Sequence, residues 1–465
     1  MGKRSRSILG DLRLNKGFDL LMSAMVIRHS VVLSHLSSQR REEVQLWRFV
    51  NNAHVNPQKL VAHNCSVNSL AVAGKNVLII SDTSIISFAP YANREELGHV
   101  GPATDKSGFS VHPAILLDAD QGSCYGLGGI HFHKTPIAHT AADQAAKREQ
   151  KKKNATRAFE DKERYKWFDA PHQAITNCPG AKSYTLLGDR ESDIYDLIAR
   201  TLANGWHFLY RCKHDRTLSE HEDYDQLSDA IAAWPVAHNF ELALQKTKDR
   251  TAHTADLEVK FGPAQIAKPH INTDKSLPES IPLFVVQVKE KPESVVGQEK
   301  PVHWILLTSH PVQSTEQALN IIKWYLWRWT IEQLFRTLKK QGLNIEQSKV
   351  ETYHGLINLT TMALLAAIQV MQLVNARDGQ TDQKIEDVFF QEEIKCFKAL
   401  NQKLQGKTPK SQNPHPTESL AFAAWVIARL GSWKGYKSEG PPGPITFING
   451  LTRFYNILEG YYLFS

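Results

Sequence analysis

The chain has 465 residues, which at roughly 150 residues per domain corresponds to about three domains and is ample for a buried core. Hydrophobic residues make up 42% of it and charged residues 22%, ordinary values that exclude collagen-like and intrinsically disordered proteins. The formal net charge of +7 is a modest basic excess that suits a polyanionic partner without requiring one.

The five cysteines lie far apart and form no Cys-x-x-Cys pair, which argues against a disulfide framework and a structural zinc module and favours a reducing cytosol. Asp11, Arg13, Lys16 and Asp19 interrupt the first apolar segment, so we expect no signal peptide. The most apolar stretch, Met362 to Ile368, is shorter than the roughly 18 residues of a membrane span. We therefore predict a buried helix there and a cytoplasmic protein.

The chain begins with a basic helical pattern. Up to about residue 56, apolar residues recur at helical spacing with Lys and Arg between them. This pattern predicts a small helical N-terminal domain over residues 1–56. A solvated amphipathic face explains the same interleaved charges, so this segment by itself does not identify a partner.

Short apolar runs from Val77 onward are typical of buried strands. They predict strands at about residues 77–82, 109–117, 125–132, 184–189 and 207–212. Alternating or β-rich runs between residues 240 and 307 show no strong helix signal and predict a separate β-rich insertion. Helical patterns follow at about 314–340 and 355–375, and a linker at 406–416 leads to a final helical region. The order of elements indicates an α/β protein.

Two aspartates stand directly after buried apolar runs. Asp82 follows the run that begins at Val77, and Asp189 follows Tyr184 to Gly188. In open α/β sheets, side chains at strand ends converge in the crevice where ligands and metals bind. Taken singly, each aspartate is better explained as a turn or helix-cap residue, because Asp is favoured there for its local hydrogen bonds.

A third carboxylate lies on the predicted helix around Glu332. At 3.6 residues per turn, one polar stripe is predicted to contain Tyr325, Arg328, Glu332, Arg336 and Lys339. A surface ladder of ion pairs explains such a stripe. The same segment is rich in tryptophans, which are costly on a solvated helix. We therefore predict a wet catalytic face with an aromatic-packed back.

Two aspartates and a glutamate are what a two-metal phosphodiester site requires. Mg²⁺ prefers oxygen ligands and bridges a few carboxylates to substrate phosphates. Two such ions activate an attacking water or hydroxyl and stabilise the leaving oxygen. Three histidines on predicted strands, His112, His131 and His133, are assigned structural or DNA-facing roles, because magnesium prefers oxygen.

The motifs around the three carboxylates resemble one family. The sequence Asp82-Thr83-Ser84 ends an apolar strand, Gly188-Asp189-Arg190-Glu191-Ser192-Asp193 follows, and Tyr325-x-x-Arg328-x-x-x-Glu332 continues to Lys339. This order is similar to that of DDE transposases of the insertion-sequence-four family, the group that contains the transposase of transposon Tn five. The last pattern resembles the Y-R-E-K signature of that family.

The resemblance implies a ribonuclease-H-like catalytic core with a β-rich insertion, flanked by helical N-terminal and C-terminal domains. It implies domains at 1–56 for DNA binding, 57–377 for catalysis, with the insertion at about 214–310, and 378–465 for dimerisation. Asp82, Asp189 and Glu332 would be the catalytic metal ligands. The metal would be Mg²⁺, with Mn²⁺ able to substitute.

The family positions carry over as DNA contacts. Tyr325, Arg328 and Lys339 would bind the backbone near the scissile bond, Arg as a bidentate fork and Lys as a point charge. Trp304 would capture a flipped base, although a core tryptophan in a strand explains it too.

Further DNA contacts are expected from Arg211, Lys213 and Arg216 in one turn, and from Arg13 and Lys16 in the N-terminal region. In the turn, Asp215 departs from the family pattern, since its negative charge is unfavourable beside a phosphate.

The resemblance therefore implies a cut-and-paste DNA transposase that is located in the bacterial cytoplasm and associated with the nucleoid. Its partners would be transposon-end DNA, target DNA and a second copy of the chain in a synaptic complex, with no membrane. The reaction would proceed through nicking, hairpin formation, hairpin opening and strand transfer. The hairpin step is inferred from the resemblance alone. Two alternatives stay open: a stand-alone Mg²⁺-dependent nuclease or resolvase, and a catalytically silent DNA-binding regulator.

Overall fold

The protein has a mixed α/β fold. The computed structural model describes residues 8–88, 94, 96–100, 107–134, 157–219, 223–246, 250–340, 342–389, 391–408 and 411–464. The helices are α1 (Leu12–Arg28), α2 (Leu33–Leu36), α3 (Arg40–Val50), α4 (Pro57–Ala71), α5 (Lys166–Asn177), α6 (Tyr195–Ala203), α7 (Leu227–Ala233), α8 (Thr315–Trp327), α9 (Trp329–Lys339), α10 (Tyr353–Ala376), α11 (Gln391–Leu404), α12 (Leu420–Leu430) and α13 (Pro444–Phe464). The strands are β1 (Asn76–Ser81), β2 (Ser84–Phe88), β3 (Gly98–His99), β4 (Ser107–Asp118), β5 (Cys124–His133), β6 (Ser183–Gly188), β7 (His207–Arg211), β8 (His238–Leu244), β9 (His253–Ala267), β10 (Ser280–Glu290) and β11 (His303–Thr308).

The chain divides into two compact units. Unit 1 consists of Met1–Val77, Ser81–Lys182 and Trp329–Ser465, and unit 2 of Leu78–Ile80 and Ser183–Arg328. The predicted segments 1–56 and 378–465 therefore share a unit with part of the central segment. The three-domain division by function stays a prediction.

Helix α10 forms the centre of unit 1. It begins at a Thr352 cap, whose side chain accepts the N–H of Gly355, and it contacts β5 and helices α1, α4, α9, α12 and α13. Within the described ranges it is the one helix long and apolar enough to cross a membrane, with a mean hydropathy of 1.7, and 89% of its most apolar window is buried inside the protein. The buried helix predicted around Met362–Ile368 is confirmed, but the apolar helix is much longer than that stretch.

The strands of unit 1 pair antiparallel around β4. Strands β2, β3 and β5 all pair with it, and β4 and the first part of β5 are buried because helices α4, α5 and α10 pack against this pair. Helix α5 lies so close to β5 that a Cβ on Gly129 would stand 1.9 Å from the carbonyl oxygen of Ala170. Glycine at this position therefore permits the close packing.

The sheet of unit 2 explains the β-rich segment. Its strands follow the order β1 (through Leu78–Ile80), β6, β7, β11, β10, β9, β8, with β6 and β7 parallel and the pairs from β7 to β8 antiparallel. The β-rich character predicted for residues 240–307 is confirmed. The segment is not separate, however, because β11 pairs with β7, with Leu306 opposite Arg211. This long-range pairing leaves no periodic signal in the sequence.

The predicted helix at 314–340 is interrupted at Arg328. The N–H of Arg328 bonds to the carbonyl of Tyr325 at 3.2 Å, a tight turn that separates α8 from α9. Tyr325 and Arg328 are buried, whereas Trp329 is 45% exposed. The prediction of a wet face with packed aromatics at its back is therefore wrong at these positions, because Tyr325 and Arg328 are buried and Trp329 is not.

Candidate active site and nucleic-acid interface

Asp82 comes directly after β1, whose residues from Val77 to Ser81 are all buried. The Asp82 side chain is half-buried, and its Oδ1 accepts the N–H of Thr83 at 2.7 Å. The buried strand thus delivers a carboxylate at its end, as the sequence predicts, and a backbone N–H orients it.

Asp189 has a similar position at the end of β6. Its half-buried side chain accepts the N–H of Glu191 through Oδ1 at 2.8 Å, and the Ser192 hydroxyl donates to its backbone carbonyl at 2.6 Å. These bonds close a short 3-10 turn over Arg190–Ser192. The aspartate is therefore both a cap and a carboxylate held in one orientation at a strand end.

Glu332 lies in the first turn of α9 and is half-buried. At the other end of the same helix, the Lys339 ammonium donates to the carbonyl of Ile85 in β2 and lies 3.8 Å from a carboxylate oxygen of Glu346. Burial lowers the pKa of Lys339, and the neighbouring Glu346 opposes that shift. Lys339 is therefore already partnered within unit 1.

The three carboxylates supply only oxygen donors, which is the chemistry that a hard divalent cation such as Mg²⁺ requires. Asp82 and Glu332 belong to unit 1 and Asp189 to unit 2. Among the described residues, no group of three His, Cys, Asp or Glu side chains is gathered to hold a metal ion. The convergence of the three carboxylates on one metal stays a prediction.

An aromatic and cationic cluster, called here the Trp304 patch, forms within unit 2. It consists of Trp304, Tyr325, Arg328 and Arg211. The rings of Trp304 and Tyr325 have centroids 5.5 Å apart at 59°, and the Arg328 guanidinium carbon is 5.8 Å from the Tyr325 ring centre. Arg211 donates to the carbonyl of His303, the neighbour of Trp304, at 2.9 Å. The structure thus brings together four residues that the sequence assigns to DNA contact from three separate motifs.

Three further basic residues that the sequence did not single out as DNA contacts lie near this patch: Arg190, Lys289 and His303. Lys289 on β10 is directly opposite His303 on β11. Burial lowers the pKa of Arg211, and the positive charges of Arg190 and Arg328 lower it further. Burial also lowers the pKa of His303, with Lys289, Arg211 and Arg190 adding to that effect. Like charges held this close attract a polyanion.

Residues 134–368, about half of the chain, match the family model described as the transposase DDE domain. The chain belongs to the DDE transposases. The matched range contains Asp189, Glu332 and the whole Trp304 patch, whereas Asp82 precedes it. The protein is therefore a transposase with DNA as its substrate.

In this transposase, Arg216 has a structural position. Its guanidinium is buried and donates to both the carboxylate and the backbone carbonyl of Asp193, and Asp193 also accepts the N–H groups of Lys213 and His214. The ion pair holds the turn that follows β7. The prediction that Arg216 contacts DNA does not fit this burial and pairing.

The remaining residues of that turn are exposed. Lys213 is exposed, and its role in DNA contact stays a prediction. Asp215 accepts the N–H of Ser228 at 3.0 Å and its hydroxyl at 2.6 Å, so it caps the start of α7. The departure from the family pattern at Asp215 therefore has a local structural reason.

The two N-terminal candidates lie on the surface of α1. Arg13 and Lys16 are both exposed, and Asp11 caps the helix by accepting the N–H of Arg13 at 2.8 Å. The Arg13 side chain is 3.5 Å from Asp11. The surface position suits phosphate contact, and their role in DNA binding stays a prediction.

Proposed function

We propose that this transposase moves its element by cut-and-paste transposition, with Asp82, Asp189 and Glu332 as the catalytic carboxylates of a ribonuclease-H-like core. The observation that carries the proposal is the matching placement of Asp82 and Asp189. Each follows a buried strand and is oriented by a backbone N–H. The motif order supports membership in the insertion-sequence-four group.

The three carboxylates would hold Mg²⁺, with Mn²⁺ as a substitute, and the bound cation would supply activation of the attacking oxygen and charge stabilisation of the leaving oxygen. In the first step, water hydrolyses the phosphodiester at the transposon end and releases a 3′-hydroxyl. The hydroxyl attacks a phosphodiester of the opposite strand, which closes a hairpin on the transposon end and releases the flanking DNA strand as the leaving group. A second water opens the hairpin, and the freed 3′-hydroxyls attack phosphodiesters of the target DNA, joining the ends to it as each target strand breaks.

The Trp304 patch would bind the bent end of the DNA. A base that leaves the stack requires an aromatic surface, and the backbone beside it requires cations. Trp304 supplies a half-buried ring, and Arg211 and Arg328 supply charge next to it. Arg190 and Lys289 extend the positive region, and Lys339, Lys213, Arg13 and Lys16 would add backbone contacts elsewhere.

A homodimer would pair two transposon ends, because each end needs its own catalytic carboxylates. The C-terminal helices are the proposed contact. Much of their apolar surface packs within unit 1, where Phe397 stacks on Phe454 with ring centroids 4.0 Å apart. The contact would therefore use outward-facing residues such as Ile445 and Ile457, which are 57% and 41% exposed. We propose that the protein acts in the bacterial cytoplasm at the nucleoid.

The first test selects end sequences from a random DNA pool and then measures Mg²⁺-dependent cleavage and joining. Asp82→Asn, Asp189→Asn and Glu332→Gln are each expected to abolish nicking and joining while end binding persists, since they remove charge but keep size. Cleavage without joining by the unmodified protein would support the nuclease alternative. Binding without cleavage under the same conditions would support the regulator.

The second test follows nick, hairpin and double-strand break on labelled end DNA. Trp304→Ala is expected to leave the first nick nearly unchanged and to slow hairpin formation roughly ten- to a hundredfold, because stacking contributes about 1–3 kcal/mol per base. Trp304→Phe keeps a stacking ring and serves as the control. Equal slowing of all three products by Trp304→Ala would identify Trp304 as a core residue and contradict its role in base capture.

A further inference from the structure

We propose that His112 is a positioning residue for the active site: it fixes Thr83, and Thr83 orients the carboxylate of Asp82, so that His112 sets how tightly Asp82 binds a divalent metal. This inference rests on the proposed metal role of Asp82. The sequence analysis assigned His112 only a structural or DNA-facing role.

Two hydrogen bonds connect the three residues. Nδ1 of His112 lies 2.9 Å from the hydroxyl oxygen of Thr83, and the N–H of Thr83 donates to Oδ1 of Asp82 at 2.7 Å. His112 lies on β4, whereas Asp82 and Thr83 lie between β1 and β2. A rigid strand thus holds the loop that carries the carboxylate. Groups of this kind behind metal ligands fix ligand orientation and affinity.

The protonation state of His112 follows from its surroundings. The ring is 1% exposed, and burial holds its pKa well below the usual value, with further lowering by Lys166 and His131. His131, opposite it on β5, pairs with Asp169 at 2.7 Å, and Lys166 pairs with Glu163 at 3.1 Å. His112 is therefore neutral at neutral pH.

The tautomer follows from the hydrogen bonds. Nε2 of His112 is buried and has no hydrogen-bond partner among the described residues. An orphaned buried N–H is rarer in proteins than an under-satisfied acceptor. We therefore assign the proton to Nδ1, which donates to the hydroxyl oxygen of Thr83. The side chain of Thr83 is fixed by this bond.

Packing alone does not explain this histidine. Its ring makes an edge contact with Trp167, with centroids 4.5 Å apart and an interplanar angle of 71°. An apolar ring such as Phe would provide that contact without burying a polar imidazole, which is costly unless the imidazole is hydrogen-bonded. The bond to Thr83 is the contact that requires histidine.

The experiment measures Mn²⁺ binding to the full-length protein by electron paramagnetic resonance of the free ion, without any activity assay. His112→Phe is expected to weaken Mn²⁺ binding at least about tenfold, as is typical for loss of a group behind a metal ligand. His112→Asn can still donate to Thr83 and is expected to retain most of the affinity. Thr83→Val removes only the hydroxyl and keeps the N–H, so it should match His112→Phe.

The double variant with His112→Phe and Thr83→Val should bind Mn²⁺ no more weakly than either single variant, because both changes break the same hydrogen bond. Trp167→Phe is the packing control and should leave Mn²⁺ binding unchanged. Unaltered binding by Thr83→Val, or equal weakening by Trp167→Phe, would overturn the inference. Asp82→Asn tests the metal role of Asp82 separately from the positioning role of His112. If this variant leaves Mn²⁺ binding intact, the proposed metal role of Asp82 is wrong.

Discussion

Arg211 ends β7, Arg216 lies in the turn five residues further on, and both come from one motif, yet their surroundings are opposite. Arg211 is half-buried beside Arg190, Arg328 and His303, and its guanidinium bonds to a backbone carbonyl. Arg216 is buried against the carboxylate of Asp193. One arginine adds to a concentration of positive charge, and the other has its charge balanced inside the protein.

The difference shows two uses of a basic residue within one protein. A guanidinium paired with a buried carboxylate holds a turn, and removing one partner leaves an uncompensated buried charge. A guanidinium among like charges is stabilised when a phosphate binds, because the negative phosphate offsets the repulsion between the positive charges. Both residues are arginines of the same motif, so only their burial and their neighbours distinguish the two roles.

The largest expected effect is on stability. Arg216→Met should lower the free energy of unfolding by about 3–5 kcal/mol, since Asp193 would be left buried without its counter-charge. Arg211→Met should change it by much less, because it removes a repulsive neighbour together with a bond. Urea denaturation of the full-length protein measures both. Equal losses would mean that the two arginines have the same structural role.

A smaller effect is expected on DNA binding. Arg211→Ala should reduce the slope of log affinity against log salt concentration by about one, the value for one lost phosphate contact. Lys268, which pairs with Glu279 at 2.8 Å in the same unit, provides the control, and Lys268→Ala should leave the slope unchanged. An unchanged slope in Arg211→Ala would place this guanidinium outside the DNA contact.

The smallest effect is a pH dependence through His303. Burial, with Lys289, Arg211 and Arg190, lowers its pKa in the free protein, and a bound phosphate would raise it. DNA binding therefore takes up a proton, and affinity should increase as the pH falls toward about 6, by at most about tenfold, the factor for one pKa unit. In the free protein the lowered pKa has the opposite consequence, since stability decreases as the pH falls below about 6.5.

Binding titrations at constant salt measure this dependence. His303→Gln should remove it while keeping a polar side chain of similar size. His270, an exposed histidine of the same unit, provides the control as His270→Gln. The same pH dependence in His303→Gln would show that the proton is taken up elsewhere.

Local patterns predicted several elements correctly. The apolar runs before Asp82 and Asp189 form strands β1 and β6, and the apolar segment around Met362 forms the buried helix α10. Each of these signals extends over a few consecutive residues, and burial along one strand or helix follows directly from it. The motif order around the three carboxylates was likewise sufficient to indicate a DDE transposase, which the family match supports.

What depends on partners distant in the chain was decided only by the tertiary structure. The pairing of β11 with β7 places Trp304 and Arg211 in one patch, and the opposition of Lys289 and His303 adds charge to it. The turn at Arg328 and the burial of Arg216 against Asp193 depend on packing that no spacing reports. Periodicity encodes which face of an element is apolar, whereas strand pairing and counter-charges are set by the free energy of the whole folded chain. These decide which of two similar arginines is paired with a buried carboxylate and which lies among like charges.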